Sequence, residues 1–250
     1  MDYDKVPIVI VSHKRPKNVT TTKHITGCKI CIPKSQEAEY MEYNPDIELI
    51  THPDEIIGLS PKRQWIYEKF KDVFMIDDDC TGVNRVYVDG KDKNYKIAPD
   101  IAEMWVNDIY HIAKESGIKL FGFNRSPNPM VYTGNKGFEL TGAIEGGAFG
   151  CIWDERLYFP KDPYNIGEDT FISGLNAYYN RYLLIDLRIS FAFEDTGVQP
   201  GGCADYRTRE RRKQTYILMR KMFGDSVKHQ WITPAKHKIE KWSYWLHTPF

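Results

Sequence analysis

Val73-Phe74-Met75-Ile76-Asp77-Asp78-Asp79 decides how this chain is read. The four apolar residues form a short run of the kind that makes a buried strand, and three carboxylates follow at once. Adjacent carboxylates repel one another, so such a cluster is either solvated or shares a cation. In an extended segment side chains alternate, so Asp77 and Asp79 face one point while Asp78 faces elsewhere. Hard oxygen donors suit Mg²⁺ or Mn²⁺, and such an ion would neutralise a pyrophosphate. A solvated acidic loop is the plain alternative; the buried run before it favours the metal.

Working outward, the chain alternates strand and helix on both sides of this segment. Upstream, Pro7 to Ser12 (PIVIVS) is an apolar, β-branched strand ending in the polar loop His13-Lys14-Arg15-Pro16. Cys28 to Ile32, a helical stretch from Ser35 to Tyr43, and Ile47 to Thr51 continue the pattern. Ser60-Pro61 reads as a helix start, with Ser60 as cap and Pro61 in the first turn. Downstream, Pro99 to Ser116 predicts an amphipathic helix with Ile101, Met104, Trp105, Ile109 and Ile112 on its apolar face, followed by a strand at Lys119 to Phe123. A glycine-rich, β-like stretch spans Phe138 to Trp153, a helix starts at Gly167-Glu168-Asp169-Thr170 and runs to about Arg181, and Tyr182 to Phe193 predicts one long strand. Such alternation implies an α/β fold around a mostly parallel mixed sheet, whose ligands bind beyond the carboxyl ends of the strands.

A chain of 250 residues buries an α/β core without disulfides, and its five scattered cysteines form no disulfide framework. Cys28 and Cys31 make a lone C-x-x-C inside a strand-like run, with no second pair at zinc spacing. No stretch is long and apolar enough for a membrane span, and Met-Asp-Tyr-Asp-Lys lacks a signal-peptide layout, so a soluble protein of the cytoplasm is expected. The net charge of zero hides an asymmetry: from Ala204 to Lys241 there are eleven Lys or Arg and four Asp or Glu. That surplus points toward a polyanion, with a solvated helix face as the bland reading. Two regions are expected: residues 1–203 as the catalytic domain, and 204–250 as a basic helical and aromatic region packed on it.

The ordered set of PIVIVSHKRP, Ser60-Pro61-Lys62-Arg63-Gln64, FMIDDD, GAIEGGAFG and NIGEDTF resembles the GT-A fold of glycosyltransferases, across about residues 6 to 195. The resemblance implies a nucleotide-sugar donor, of the UDP type. Ser12, His13 and Arg15 would line its pocket, with Asp78, Gly146 and Gly147 beside them, and Lys62 or Arg63 would reach the diphosphate. Asp77 would lie near ribose and metal, and Asp79 would ligate Mn²⁺ or Mg²⁺ directly. Asp169, with Glu168 beside it, would act as base at the acceptor hydroxyl; a favourable charge at a helix N-terminus is the alternative. A further metal ligand is left among Glu194, Asp195, His229, His237 and His247, and Gly201-Gly202 is either a closing loop or a turn.

The basic segment narrows the resemblance. A compact GT-A chain with Arg207, Arg209, Arg211, Arg212 and Lys213 at its end is similar to the bacteriophage glycosyltransferases associated with TET-like oxygenases. That likeness implies a DNA acceptor bearing hydroxymethylated pyrimidines, and, for a phage protein, the host cytoplasm. The target base would leave the stack, with Tyr206, Tyr216 and Trp231 available for stacking. Three other functions remain open: transfer to a glycan or lipid-linked saccharide, nucleotidyl transfer, and an idle DNA-binding module. Nucleotidyl transfer is disfavoured because His13-Lys14-Arg15-Pro16 contains no glycine.

Overall fold

A computed structural model describes residues 4–88, 95–132, 134–194, 206–232 and 241–247. Its central sheet has eight strands: β1 (Ile8–Val11), β2 (Cys28–Pro33), β3 (Leu49–His52), β4 (Val73–Asp77), β6 (Leu120–Phe123), β7 (Phe138–Glu139), β8 (Ala148–Cys151) and β9 (Leu184–Asp186). Their order is β3-β2-β1-β4-β8-β6-β9-β7. β3, β2, β1 and β4 are mutually parallel, as are β6 and β9, while β8 and β7 run antiparallel to their neighbours. The sheet is therefore mixed and mostly parallel, as the alternation of elements implies.

Alternation along β1 and β4 sorts the core into two layers. Ile8, Ile10, Phe74 and Ile76 pack on one face with α3 (Pro99–Glu115) and Tyr40 of α1 (Glu37–Tyr43). Val9, Val11, Val73 and Met75 pack on the other with Ile66 and Tyr67 of α2 (Leu59–Phe70), Phe171 and Ile172 of α4 (Glu168–Tyr179) and Met219 of α5 (Arg209–Phe223). A two-stranded sheet pairs β5 (Cys80–Arg85) with β10 (Ile189–Phe193), and β11 (Val227–Ile232) pairs with β12 (Lys241–Leu246). Val227 is buried in the second layer, with Tyr244 and Leu246 packed against it. No described helix is long and apolar enough to cross a membrane.

Three local expectations are corrected. Ser60 lies inside α2 instead of capping it, because its hydroxyl donates to the Pro160 carbonyl at 2.5 Å; Gly58 takes the cap position. The buried face of α3 is Ala102, Val106, Ile109, Tyr110 and Ala113, which leaves Met104 and Ile112 exposed. Alanines let the helix approach the sheet, so they outrank the larger residues one step round. The long strand from Tyr182 breaks into β9 and β10, because the Asp186 carboxylate accepts from the Arg188 amide and guanidinium and folds the chain into a turn. β10 then leaves the main sheet to pair with β5.

Candidate active site

β1 passes to β2 on one side and lies beside β4 on the other, so the strand order reverses between β1 and β4, where open α/β sheets bind ligands. A cavity of about 560 Å³ opens there. Its walls come from the loop after β1 (Ser12, His13, Arg15), the start of α2 (Gly58, Lys62), the acids after β4, the Glu145-Gly146-Gly147 segment, the start of α4, and Tyr206 and Arg207 before α5.

The acidic turn is clamped from both sides. Strand geometry ends at Asp77, and Asp78 and Asp79 form a turn into β5, so alternation alone does not set their directions. Asp78 is buried: its Oδ2 accepts from the Ser12 hydroxyl at 2.5 Å and its Oδ1 from Arg15 Nη1 at 3.0 Å. The same arginine reaches Asp79 Oδ2 at 3.4 Å. Behind the turn, Thr21 Oγ1 donates to the Asp77 carbonyl at 2.6 Å, and the Thr20 amide donates to the Asp78 carbonyl at 2.9 Å. Burial pushes the carboxyls of Asp78 and Asp79 above the usual range.

Asp77 continues the parity of Val73 and Met75, so its side chain meets α2. Arg63, with 0% of its side chain exposed, donates to Asp77 Oδ1 at 2.7 Å and to the Gly146 carbonyl at 2.6 Å. It lies 3.4 Å from Glu168 and over the Phe149 ring. Of the two residues that the resemblance offers to a diphosphate, Arg63 is outside the cavity lining and sits behind the carboxylates, holding them, and Lys62 is in the lining. Burial raises the Asp77 carboxyl to about 7 against the pull of Arg63, and raises Glu168 as well. Lys62 lines the cavity, its Nζ donating to the Ser12 carbonyl at 2.6 Å.

The lining also carries Asp169 and Glu145. Asp169 Oδ1 accepts from the Thr170 amide at 2.7 Å, and a Cβ added to Gly146 would stand 2.9 Å from Asp169 Oδ2. Gly147 is equally hemmed in, since a Cβ there would meet the Phe193 ring at 2.6 Å. Gly146 thus lets the backbone pass close to α4 and Gly147 close to β10, and the Asp77 amide donates to the Gly147 carbonyl at 2.8 Å. Glu145 lies in the cavity wall, its carboxyl raised by burial and 3.5 Å from Arg125. Nothing in the sequence singled it out, because a lone glutamate among glycines carries no spacing signal.

Of the further ligand candidates, Glu194 lies in the cavity wall, and its amide donates to the Asp79 carbonyl at 3.3 Å. His229 pairs with the Tyr216 hydroxyl at 2.8 Å on β11, and neither it nor exposed His247 lines the cavity. Asp195, His237, Gly201-Gly202 and the Trp231 side chain lie outside the described residues. No group of three ligands close enough to hold a metal occurs among the described residues. The basic set divides: Arg209 and Lys213 are exposed, Arg211 stacks over Tyr164, and Arg207 turns to the cavity. Arg212 is half-buried beside Arg207, and burial, then that neighbour, lower its pKa.

Residues 6–124 match the TET-Associated Glycosyltransferase family. The enzyme class this supports is a glycosyltransferase. The match takes in the loop after β1, Lys62, Arg63 and the acidic turn, and it stops before Glu145, Glu168, Asp169 and α5. No curated protein matches the chain.

Proposed function

We propose that this glycosyltransferase moves a sugar from a nucleotide-sugar, of the UDP type, to a hydroxymethylated pyrimidine in DNA, with Mn²⁺ or Mg²⁺ held by Asp79 and Asp77. The observation that carries the reading is the charge of the cavity. Seven carboxylates line it (Asp77, Asp78, Asp79, Glu145, Glu168, Asp169, Glu194), against Arg15, Lys62 and Arg207 in the lining and Arg63 behind it, a formal surplus of three negative charges when all are ionised, which burial opposes. A diphosphate enters such a site only with a cation that offsets both. Hard carboxylate oxygens whose burial disfavours their bare charge fit a divalent ion, and among the described candidates Glu194 lies in the cavity wall with its amide on the Asp79 carbonyl. When bound, that ion would stabilise charge on the departing diphosphate.

The chain's own residues do the rest. Ser12, His13 and Arg15 face the nucleotide, and Lys62 supplies a fixed positive charge beside it. Arg63 keeps Asp77 and Glu168 in place from behind, so Glu168 serves as a positioning group and Asp169, which lines the cavity with Glu145, is assigned to the acceptor. As the hydroxymethyl oxygen bonds to the anomeric carbon, Asp169 takes the hydroxyl proton and the bond from that carbon to the diphosphate oxygen breaks. Arg209 and Lys213, exposed on α5, and Arg207 at the cavity face the DNA.

The test is to incubate the protein with Mn²⁺, a panel of nucleotide sugars, and hydroxymethylated or plain DNA, and to read the adduct mass. A hexose or pentose increment only on hydroxymethylated DNA, lost with EDTA, is expected. Transfer to a glycan and none to DNA would refute the acceptor, and EDTA-resistant transfer would refute the metal.

A further inference from the structure

The cavity lining holds two differently built groups of side chains. One comprises Ser12, Arg15 and Lys62, cations and hydroxyls from β1 and α2. The other comprises two tyrosines and an arginine. Tyr164 and Tyr206 meet edge to face, with ring centroids 5.4 Å apart and planes at 71°, and Arg207 follows Tyr206 directly. Arg211 covers one side of the Tyr164 ring, 4.6 Å from its centroid, while 40% of Tyr164 stays exposed.

This second group is built on a firm loop. A Cβ on Gly58, where φ is +88°, would fall 1.9 Å from the Pro163 carbonyl oxygen, so the loop lies directly on the start of α2. Ser60 binds the Pro160 carbonyl, the Tyr164 amide donates to Asp162 at 3.0 Å, and buried Asn165 accepts from the Gly167 amide at 3.0 Å. Tyr164 is thus presented by backbone fixed on both sides. No ion pair to a described residue holds Arg207, which lies within electrostatic reach of Glu168.

Aromatic faces beside a cation bind a base and its phosphate together, the pattern that holds single-stranded nucleic acid without reading its sequence. A sugar donor offers the same chemistry in its own nucleotide, so the position of this group decides between them. It is contiguous in sequence with the exposed Arg209 and Lys213 of α5, and Arg207 lies within electrostatic reach of Glu168, the neighbour of Asp169. We infer that Tyr164, Tyr206 and Arg207 seat the acceptor nucleotide, its base against the tyrosine rings and its phosphate on Arg207. This rests on the DNA-acceptor reading above and assigns that acceptor its residues. The target base is accordingly held outside the duplex while Asp169 works on its hydroxymethyl group.

The test measures two affinities on the full chain: for a single-stranded oligonucleotide carrying one hydroxymethylated pyrimidine, by anisotropy, and for UDP with Mn²⁺, by calorimetry. Tyr164→Ala and Tyr206→Ala should each weaken the oligonucleotide by about 5- to 100-fold and leave UDP within about two-fold. Tyr164→Phe keeps the ring and should bind as the wild type does. Arg207→Ala should reduce the slope of log Kd against log salt for the oligonucleotide by about 0.7. Weakened UDP with unchanged oligonucleotide would hand the seat to the donor and overturn the inference, as would two unchanged affinities or a loss in Tyr164→Phe. A wild-type protein that binds UDP but no oligonucleotide would instead remove the DNA-acceptor reading itself.

Discussion

Replacing Arg63 by methionine should unsettle both halves of the cavity at once. The guanidinium has no exposure and serves Asp77 at 2.7 Å, the Gly146 carbonyl at 2.6 Å and Glu168 at 3.4 Å. Methionine fills much of the volume but leaves two carboxylates without their cation, a change that costs about 3–5 kcal/mol for a buried pair. Asp77 keeps 36% exposure to the cavity, which places the expectation at the low end, about 3 kcal/mol. For a chain of this size that is a fall in Tm of about 6–12 °C, read by calorimetry or circular dichroism. The penalty has a pH signature. Burial already raises both carboxyls, Asp77 to about 7, and losing Arg63 raises them further. A carboxyl whose folded pKa exceeds its unfolded value destabilises progressively as pH rises above the unfolded value, and not below it. The gap between wild type and variant should therefore be wide near about pH 8 and narrow toward about pH 5. A Tm change under about 2 °C, flat with pH, would show that Arg63 does not hold these groups.

Asp79→Ala should lower transfer by about two orders of magnitude or more while leaving the melting curve in place; full activity in that variant would dismiss the proposed ligand. Asp169→Asn should cut kcat by about 10²- to 10⁴-fold with donor Kd unchanged, and a parallel loss of donor binding would make it a positioning residue instead. His52 is 1% exposed, and burial lowers its pKa to about 4. A depressed histidine contributes stability above its unfolded pKa of about 6.5 that is lost as pH falls toward its folded value, up to about 3 kcal/mol here. His52→Phe, which keeps a ring against Trp65, should flatten that acid limb of a urea titration; superimposable limbs would clear His52 of the role.

Sheet and acidic turn were legible because each rests on a local signal. β1 and β4 are unbroken apolar runs, and three acids after a buried strand have few uses. Where individual side chains end up depends on tertiary geometry. Lys62 and Arg63 are sequence neighbours with the same charge, yet the rotation of about 100° between successive residues of α2 sends the first into the cavity wall and the second beneath it. Glu145 and Tyr164 stand in no periodic pattern, and only the folding of two loops against α4 and α2 brings them to the site. Met104 and Ile112 satisfied a hydrophobic stripe that alanines at neighbouring positions displaced.

The backbone bond from Asp77 to Gly147 extends the antiparallel pairing of β4 with β8, so the acidic turn and the Glu145-Gly146-Gly147 segment are riveted into one piece of sheet. No hinge is available at that seam. Tyr206 and Arg207 enter the lining from outside that seam, so substitutions there leave the joint between the two strands unbroken.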